Sequence, residues 1–280
     1  MPATPKEYRL LRNQSAFLAT VLRLVSRDGY AFWQLQETPT ENIILAVKRL
    51  DEKWAILLDK RARLYRRNAR SPVVHALLAP VSVQPPDSPH PAWPILVLSD
   101  RPLPNERMYK VKGVDNDNAE NTDKAKKAKI PTQPLTWVAW RKDAWRPTYV
   151  LKKDEQGRLT WFLTADFFQE LLEEALYYAH RGDWPRLVGH LKKVGALPAF
   201  SGVWSQMQEI RKRVHKAWGD KHLRSRDGQF APPPWKRALE GWPRTPLSPI
   251  GMRLYPDEPP RTLGEWWEIY KIHKGGTPTP

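Results

Sequence analysis

The hydrophobic positions of this 280-residue chain change period several times, and each change marks an element. Thr4, Pro5 and Glu7 form a capping-box pattern with a first-turn proline. Leu10, Leu11, Phe17, Leu18, Val21, Leu22 and Val25 follow at helical spacing, so one helix is predicted from Thr4 to the Asp28-Gly29 stop. Tyr30 to Glu37 is aromatic-rich and reads as a strand. From Thr40 the apolar residues Ile43, Val47, Leu50, Trp54, Leu57, Leu64 and Tyr65 share one face at about 100° per residue, which predicts a single long helix to about Ala69. A rival pattern ends that helix near Lys53 and makes Ala55 to Leu58 a short strand.

Ser71-Pro72 closes the element, because the residue before proline avoids helical geometry. Strands are expected over Val73 to Val83, Ile95 to Leu98 and Met108 to Val111, the second buried on both faces. Pro85 to Pro91 is a proline-rich loop, and 114–130 reads as an exposed loop. Trp137 to Trp145 reads as strand, and Tyr149 to Lys153 pairs with Arg158 to Leu163 in a hairpin. Three capped helices follow, begun by Thr164, Asp183 and Ser201, with Gly195 and Gly219 as stops for the last two. In the third, Val203, Met207, Ile210, Val214 and Trp218 form the buried stripe. After Arg224 the chain is proline-rich yet keeps Phe230, Trp235, Trp242, Leu254 and Tyr255, which predicts an extended arm packed along the body. Thr262 and Glu265 give one last capped helix.

The predicted class is therefore α+β. It has an N-terminal helix and a mixed or antiparallel sheet with a long basic helix over 1–163, a helical layer over 164–222, and a Pro/Trp-rich arm over 223–280. Charge then changes the picture. Lysine and arginine number 46 against 30 acidic residues, a formal net charge of +16. Self-repulsion of that size calls for an anionic partner, and nucleic acid is the commonest.

The excess is clustered. Lys60, Arg61, Arg63, Arg66, Arg67 and Arg70 lie within eleven residues that hold no acid. Arginine suits bidentate phosphate contacts. The helical phase puts Arg63, Arg66, Arg67 and Arg70 on the outer face, and leaves Arg61 pointing into the apolar stripe. A second cluster runs through Arg211, Lys212, Arg213, Lys216, Lys221, Arg224 and Arg226. If the fold brought the two together they would form a phosphate-binding groove. The 14 tryptophans offer a further means of recognition, since Trp33, Trp137, Trp140, Trp145 or Trp161 could stack bases from outward-facing strand positions.

Candidate chemistry is sparse. There is no cysteine, which excludes disulfides and thiolate chemistry. The seven histidines form no HExxH, HxH or HxxxH pair, so no metal is expected, and Asp115 to Asn118 lacks the glycine and glutamate of a calcium loop. No phosphate loop, dinucleotide fingerprint or nucleophile elbow is present, so no cofactor and no catalytic residue is assigned. No signal-peptide core or membrane span is seen, and a cytoplasmic location is expected. The reading is a nucleic-acid-binding protein, DNA or RNA undecided, in an accessory, ribonucleoprotein or mobile-element setting. One alternative is a metal-independent RNA-processing endonuclease built on a ferredoxin-like unit around Tyr30 to Leu98. Another is a structural subunit using 224–280 for protein contacts.

Overall fold

The computed structural model describes residues 4–81, 92–114, 130–139, 145–222, 239 and 241–275, with backbone alone for 220–222. The expected loop over 115–129, Pro85 to Pro91, Trp140, Arg224, Arg226, Phe230 and Trp235 lie outside the described residues. The chain forms two compact units, one of Met1–Leu135, Ala139–Arg146 and Pro249–Pro280, the other of Thr136–Val138 and Pro147–Ser248. The expected α+β class holds. The hairpin that followed the N-terminal sheet in sequence belongs with the helices of the second unit, and the last 32 residues belong with the first.

In the first unit the capping box at Thr4 and Glu7 forms, but it closes only a 3-10 turn, Pro5–Glu7. The chain then leaves helical geometry because Tyr8 and Leu10 exchange backbone hydrogen bonds with Leu263 and Arg261. Helix α1 (Gln14–Ser26) starts afresh at Asn13, whose side chain accepts from the Ala16 amide. Nearly all of α1 is buried; Arg23 is the exposed residue within its apolar run.

Strands β1 (Phe32–Pro39), β2 (Val74–Leu78), β3 (Ala92–Ser99), β4 (Tyr109–Val111) and β5 (Thr132–Gln133) make one sheet in the order β2-β3-β1-β4-β5. The Ile95 to Leu98 run is buried throughout, as its uniform hydrophobicity requires. β3 is antiparallel to both β1 and β2, so β1 and β2 run parallel on either side of it. β4 is antiparallel to β1 on the far side. These strand orders and senses are those of the split β-α-β unit of ferredoxin-like folds, without a helix between β3 and β4.

The crossover from β1 to β2 corrects the predicted long helix. It is two helices, α2 (Ile43–Trp54) and α3 (Lys60–Asn68). Ala55 takes a left-handed conformation at φ 53° and ends α2. Asp51 then accepts from the Leu57 amide, and Asp59 caps α3 by accepting from the Ala62 amide. The rival pattern places the end of α2 correctly near Lys53, but its short strand is absent, since residues 55–59 are turn and coil.

The second unit pairs β6 (Leu135–Val138), β7 (Thr148–Lys153) and β8 (Leu159–Leu163) in that order, with β7 and β8 antiparallel in the expected hairpin. Asp154 fixes the turn by accepting from the Gln156 and Arg158 amides. Helices α4 (Ala165–Arg181), α5 (Trp184–Gly195) and α6 (Ser201–His222) follow. α6 buries Val203, Met207, Ile210 and Val214 as predicted, with Ala217 and not Trp218 completing the stripe. α6 runs past Gly219, so that predicted stop fails, whereas α5 does end at Gly195, which is its last helical residue and makes room for Trp242.

The described part of the C-terminal arm packs. Trp242 is buried and its indole donates to the Leu191 carbonyl in the second unit. In the first unit helix α7 (Leu263–His273) starts with the expected Thr262/Glu265 capping box. Its Trp266 is fully buried and sits edge-on to Trp93, ring centroids 4.4 Å apart. Among the described residues no helix is long and apolar enough to cross a membrane.

Candidate nucleic-acid interface

The break at Ala55 resets the helical phase, and α3 meets the sheet on the face opposite to the predicted one. Leu64 and Tyr65 point to solvent, 57% and 76% exposed. Arg63, Arg66 and Arg67 turn inward instead. The inversion has a physical cause. The end of α2 leaves carbonyl groups without intrahelical partners, and guanidinium groups satisfy them well. Arg66 Nη1 donates to the Trp54 carbonyl and Arg63 Nη2 to the Ile56 carbonyl, each at 2.9 Å. Arg67 donates to the Asp28 carbonyl, lies 3.6 Å from the Asp100 carboxylate, and covers the Tyr30 ring. Arg61, which seemed misplaced in the apolar stripe of a continuous helix, is simply exposed.

Between α1 and α3 lies a recess of about 740 Å³. Five cationic side chains line it: Arg23, Lys60, Arg61, Arg63 and Arg67. Asp28 is the one carboxylate in that lining, alongside Leu24, Tyr30, Leu64 and His75. The structure thus brings together four of the six predicted residues. Arg66 lines a different recess and Arg70 neither. Arg23 was missed from sequence, although a lone arginine interrupting the buried run of α1 marks it. Lys60, Arg61 and Arg23 carry no side-chain ion pair or hydrogen bond among the described residues, so their charge is available to a ligand.

Arg63 and His75 form the inner wall. Arg63 Nη1 lies 2.9 Å from His75 Nε2. A guanidinium has no acceptor, so it must donate, and His75 is the neutral tautomer with its proton on Nδ1. Burial and then the Arg63, Arg23 and Arg67 charges push the His75 pKa down to about 3. Burial also pushes Arg63 down, and no carboxylate pairs with it among the described residues. His75 is therefore a neutral acceptor that holds Arg63, and is not set up as a proton donor at neutral pH.

A pH dependence follows. Between the unfolded value of about 6.5 and the folded value of about 3, only the unfolded chain binds the His75 proton. Stability should be intact above that window and fall as pH drops through it, by up to about 1.4 kcal/mol per pH unit. Urea midpoints taken near neutrality and within the window should separate more for the native protein than for His75→Gln, which still accepts from Arg63. Equal separations would show that His75 does not titrate across unfolding.

The second predicted cluster lies on an exposed helix face. Arg211, Lys212, Arg213 and Lys216 are all exposed on α6, with Arg213 paired to Glu209 at 2.6 Å. Lys221 is helical, while Arg224 and Arg226 lie outside the described residues. This face belongs to the second unit. The tryptophans proposed for stacking are largely core: Trp33, Trp137 and Trp161 are 7%, 1% and 0% exposed. Among the described residues no group of three or more His, Asp or Glu side chains is placed to hold a metal. Compared with known protein families, curated proteins and solved structures, the chain matches none of them.

Proposed function

We propose that this protein binds nucleic acid, with phosphates seated in the recess between α1 and α3 on Arg23, Lys60, Arg61 and Arg63. The observation that carries the reading is the imbalance of that recess: of its five cations only Arg67 has a carboxylate partner among the described residues, Asp100, and the lining itself holds one carboxylate, Asp28, beside a neutral histidine. Arg63 is held rigidly at its inner wall and has no carboxylate of its own, so an anionic ligand would supply the missing counter-charge. Lys60 and Arg61 at the rim provide the exposed charge that draws a polyanion in. The exposed α6 residues Arg211, Lys212 and Lys216 offer further phosphate contacts.

The test is binding of labelled single-stranded RNA, single-stranded DNA and a duplex to the full chain at low salt. Nanomolar to micromolar binding of at least one, weakening steeply as salt rises, is expected. No binding to any of the three would end the reading. Intact RNA after prolonged incubation with chelator agrees with a binding protein, whereas cleavage would move the assignment to the endonuclease alternative.

A further inference from the structure

The inverted phase of α3 leaves an aromatic ring with no structural task. No residue of α3 is buried, and Tyr65 is 76% exposed on its solvent face. Tyr65 borders a second recess, of about 660 Å³, on the other side of the helix from His75. Leu58, Ala62 and the Tyr65 ring give this recess apolar walls. Its charged groups differ from those of the phosphate recess. Asp59 is engaged in capping the Ala62 amide, and Arg66 is committed to the Trp54 carbonyl. Arg61 has no side-chain partner among the described residues, and it lines both recesses.

We propose that this second recess receives one unstacked base, with Tyr65 as the stacking surface, so that the interface selects single-stranded over duplex nucleic acid. The inference rests on the phosphate-binding reading above. A phosphate has less to hold it here than in the first recess, because Asp59 offsets one of the two arginines and Arg66 already donates to the Trp54 carbonyl. A base fits better: its faces are apolar and its edges polar, and every base has a face to stack, so the contact tolerates any sequence. Arg61 between the two recesses would hold the phosphate that follows or precedes the seated base. Bases locked in a duplex are already stacked and present only their edges, so they would reach the rim charges and not the Tyr65 ring.

The experiment measures binding by fluorescence anisotropy for the full chain and for Tyr65→Ala, Tyr65→Phe and Arg61→Ala. The probes are a single-stranded oligonucleotide of mixed sequence, as RNA and as DNA, and a duplex of the same length. Tyr65→Ala should weaken single-strand binding about 10- to 100-fold, with duplex affinity and the salt slope unchanged. Tyr65→Phe should bind like the native protein, and Arg61→Ala should make the salt slope shallower. Single-strand affinity unchanged in Tyr65→Ala, or an equal loss on duplex, would overturn the stacking role while the phosphate reading stands. Failure of the native protein to bind any probe would remove both. Tyr65 is exposed, so a matching circular dichroism spectrum is expected for both Tyr65 variants.

Discussion

Replacing Arg63 by alanine should destabilise the first unit by about 2–4 kcal/mol, whereas Arg61→Ala should stay within about 0.5 kcal/mol of native. Two residues of the same type, two positions apart and so on opposite faces of a helix that reads as uniformly basic, should therefore behave as different kinds of residue. Arg63 donates to His75 Nε2 and to the Ile56 carbonyl, each at 2.9 Å. Truncation removes both hydrogen bonds and leaves two part-buried acceptors, the Ile56 carbonyl at the α2–α3 turn and His75 Nε2 on β2, without that partner. Arg61 has no side-chain partner to lose among the described residues. Arg63→Lys should recover only part of the loss, since a single ammonium cannot span the two acceptors in the geometry of a guanidinium fork. Urea unfolding followed by circular dichroism, with hydrogen exchange on 55–68 to localise the effect, measures it. Equal stability of the Arg63 and Arg61 variants would mean that the inward face of α3 is wrongly placed.

Replacing Gly202 by valine should have an effect of similar or larger size in the second unit. A Cβ there would come within 2.5 Å of the Trp161 carbonyl oxygen and 2.7 Å of the Phe162 ring. One of these is backbone in the middle of β8, so the first turn of α6 would have to move. Overpacking of this kind costs about 1–3 kcal/mol, and the branched side chain adds to it. The displacement would also strain the bond from Ser201 to Thr160, 2.9 Å in the native chain. Gly189→Ala is the control: nothing lies within 4 Å of its Cβ, and it sits inside α5. That change should stabilise the unit by about 0.5–1 kcal/mol, because alanine loses less backbone entropy in a helix. A Gly202→Val midpoint equal to native would show that α6 does not approach β8 so closely.

Much of the fold was legible because local signals and tertiary packing agree. The Thr262/Glu265 box, the hairpin across Asp154 to Gly157 and the buried stripe of α6 each form as their sequence patterns require. Thr4 shows the opposite case. Its capping box forms, yet the helix it should begin is displaced by pairing of Tyr8 and Leu10 with Arg261 and Leu263, more than two hundred residues away. Periodicity cannot register such a competitor. The candidate site was half legible for a related reason. The basic run from Lys60 to Arg70 marked the right segment, but extending one phase across Ala55 put Arg61, Arg63, Leu64, Tyr65, Arg66 and Arg67 on the wrong face. The signal that was available is Asp59, a residue that favours N-caps, directly before Lys60. Long arginine side chains hide the error, because they can satisfy carbonyl groups inside the fold as well as face solvent. Arg23 and His75 come to the site from α1 and β2, and only the tertiary arrangement places them beside α3.

The most direct test of phosphate binding at this recess is the salt dependence of single-stranded oligonucleotide affinity, measured for the native chain and for Arg23→Glu/Lys60→Glu/Arg61→Glu. All three side chains are exposed and line the same recess, so the variant should fold as the native chain does. Each phosphate contact on a single strand contributes about 0.7 to the slope of log affinity against log salt. The recess account predicts a slope shallower by about 2 in the triple variant, together with a loss of affinity at low salt of at least about 100-fold. An unchanged slope and unchanged affinity, with the native chain binding well, would place the phosphate contacts elsewhere on the protein and contradict the account.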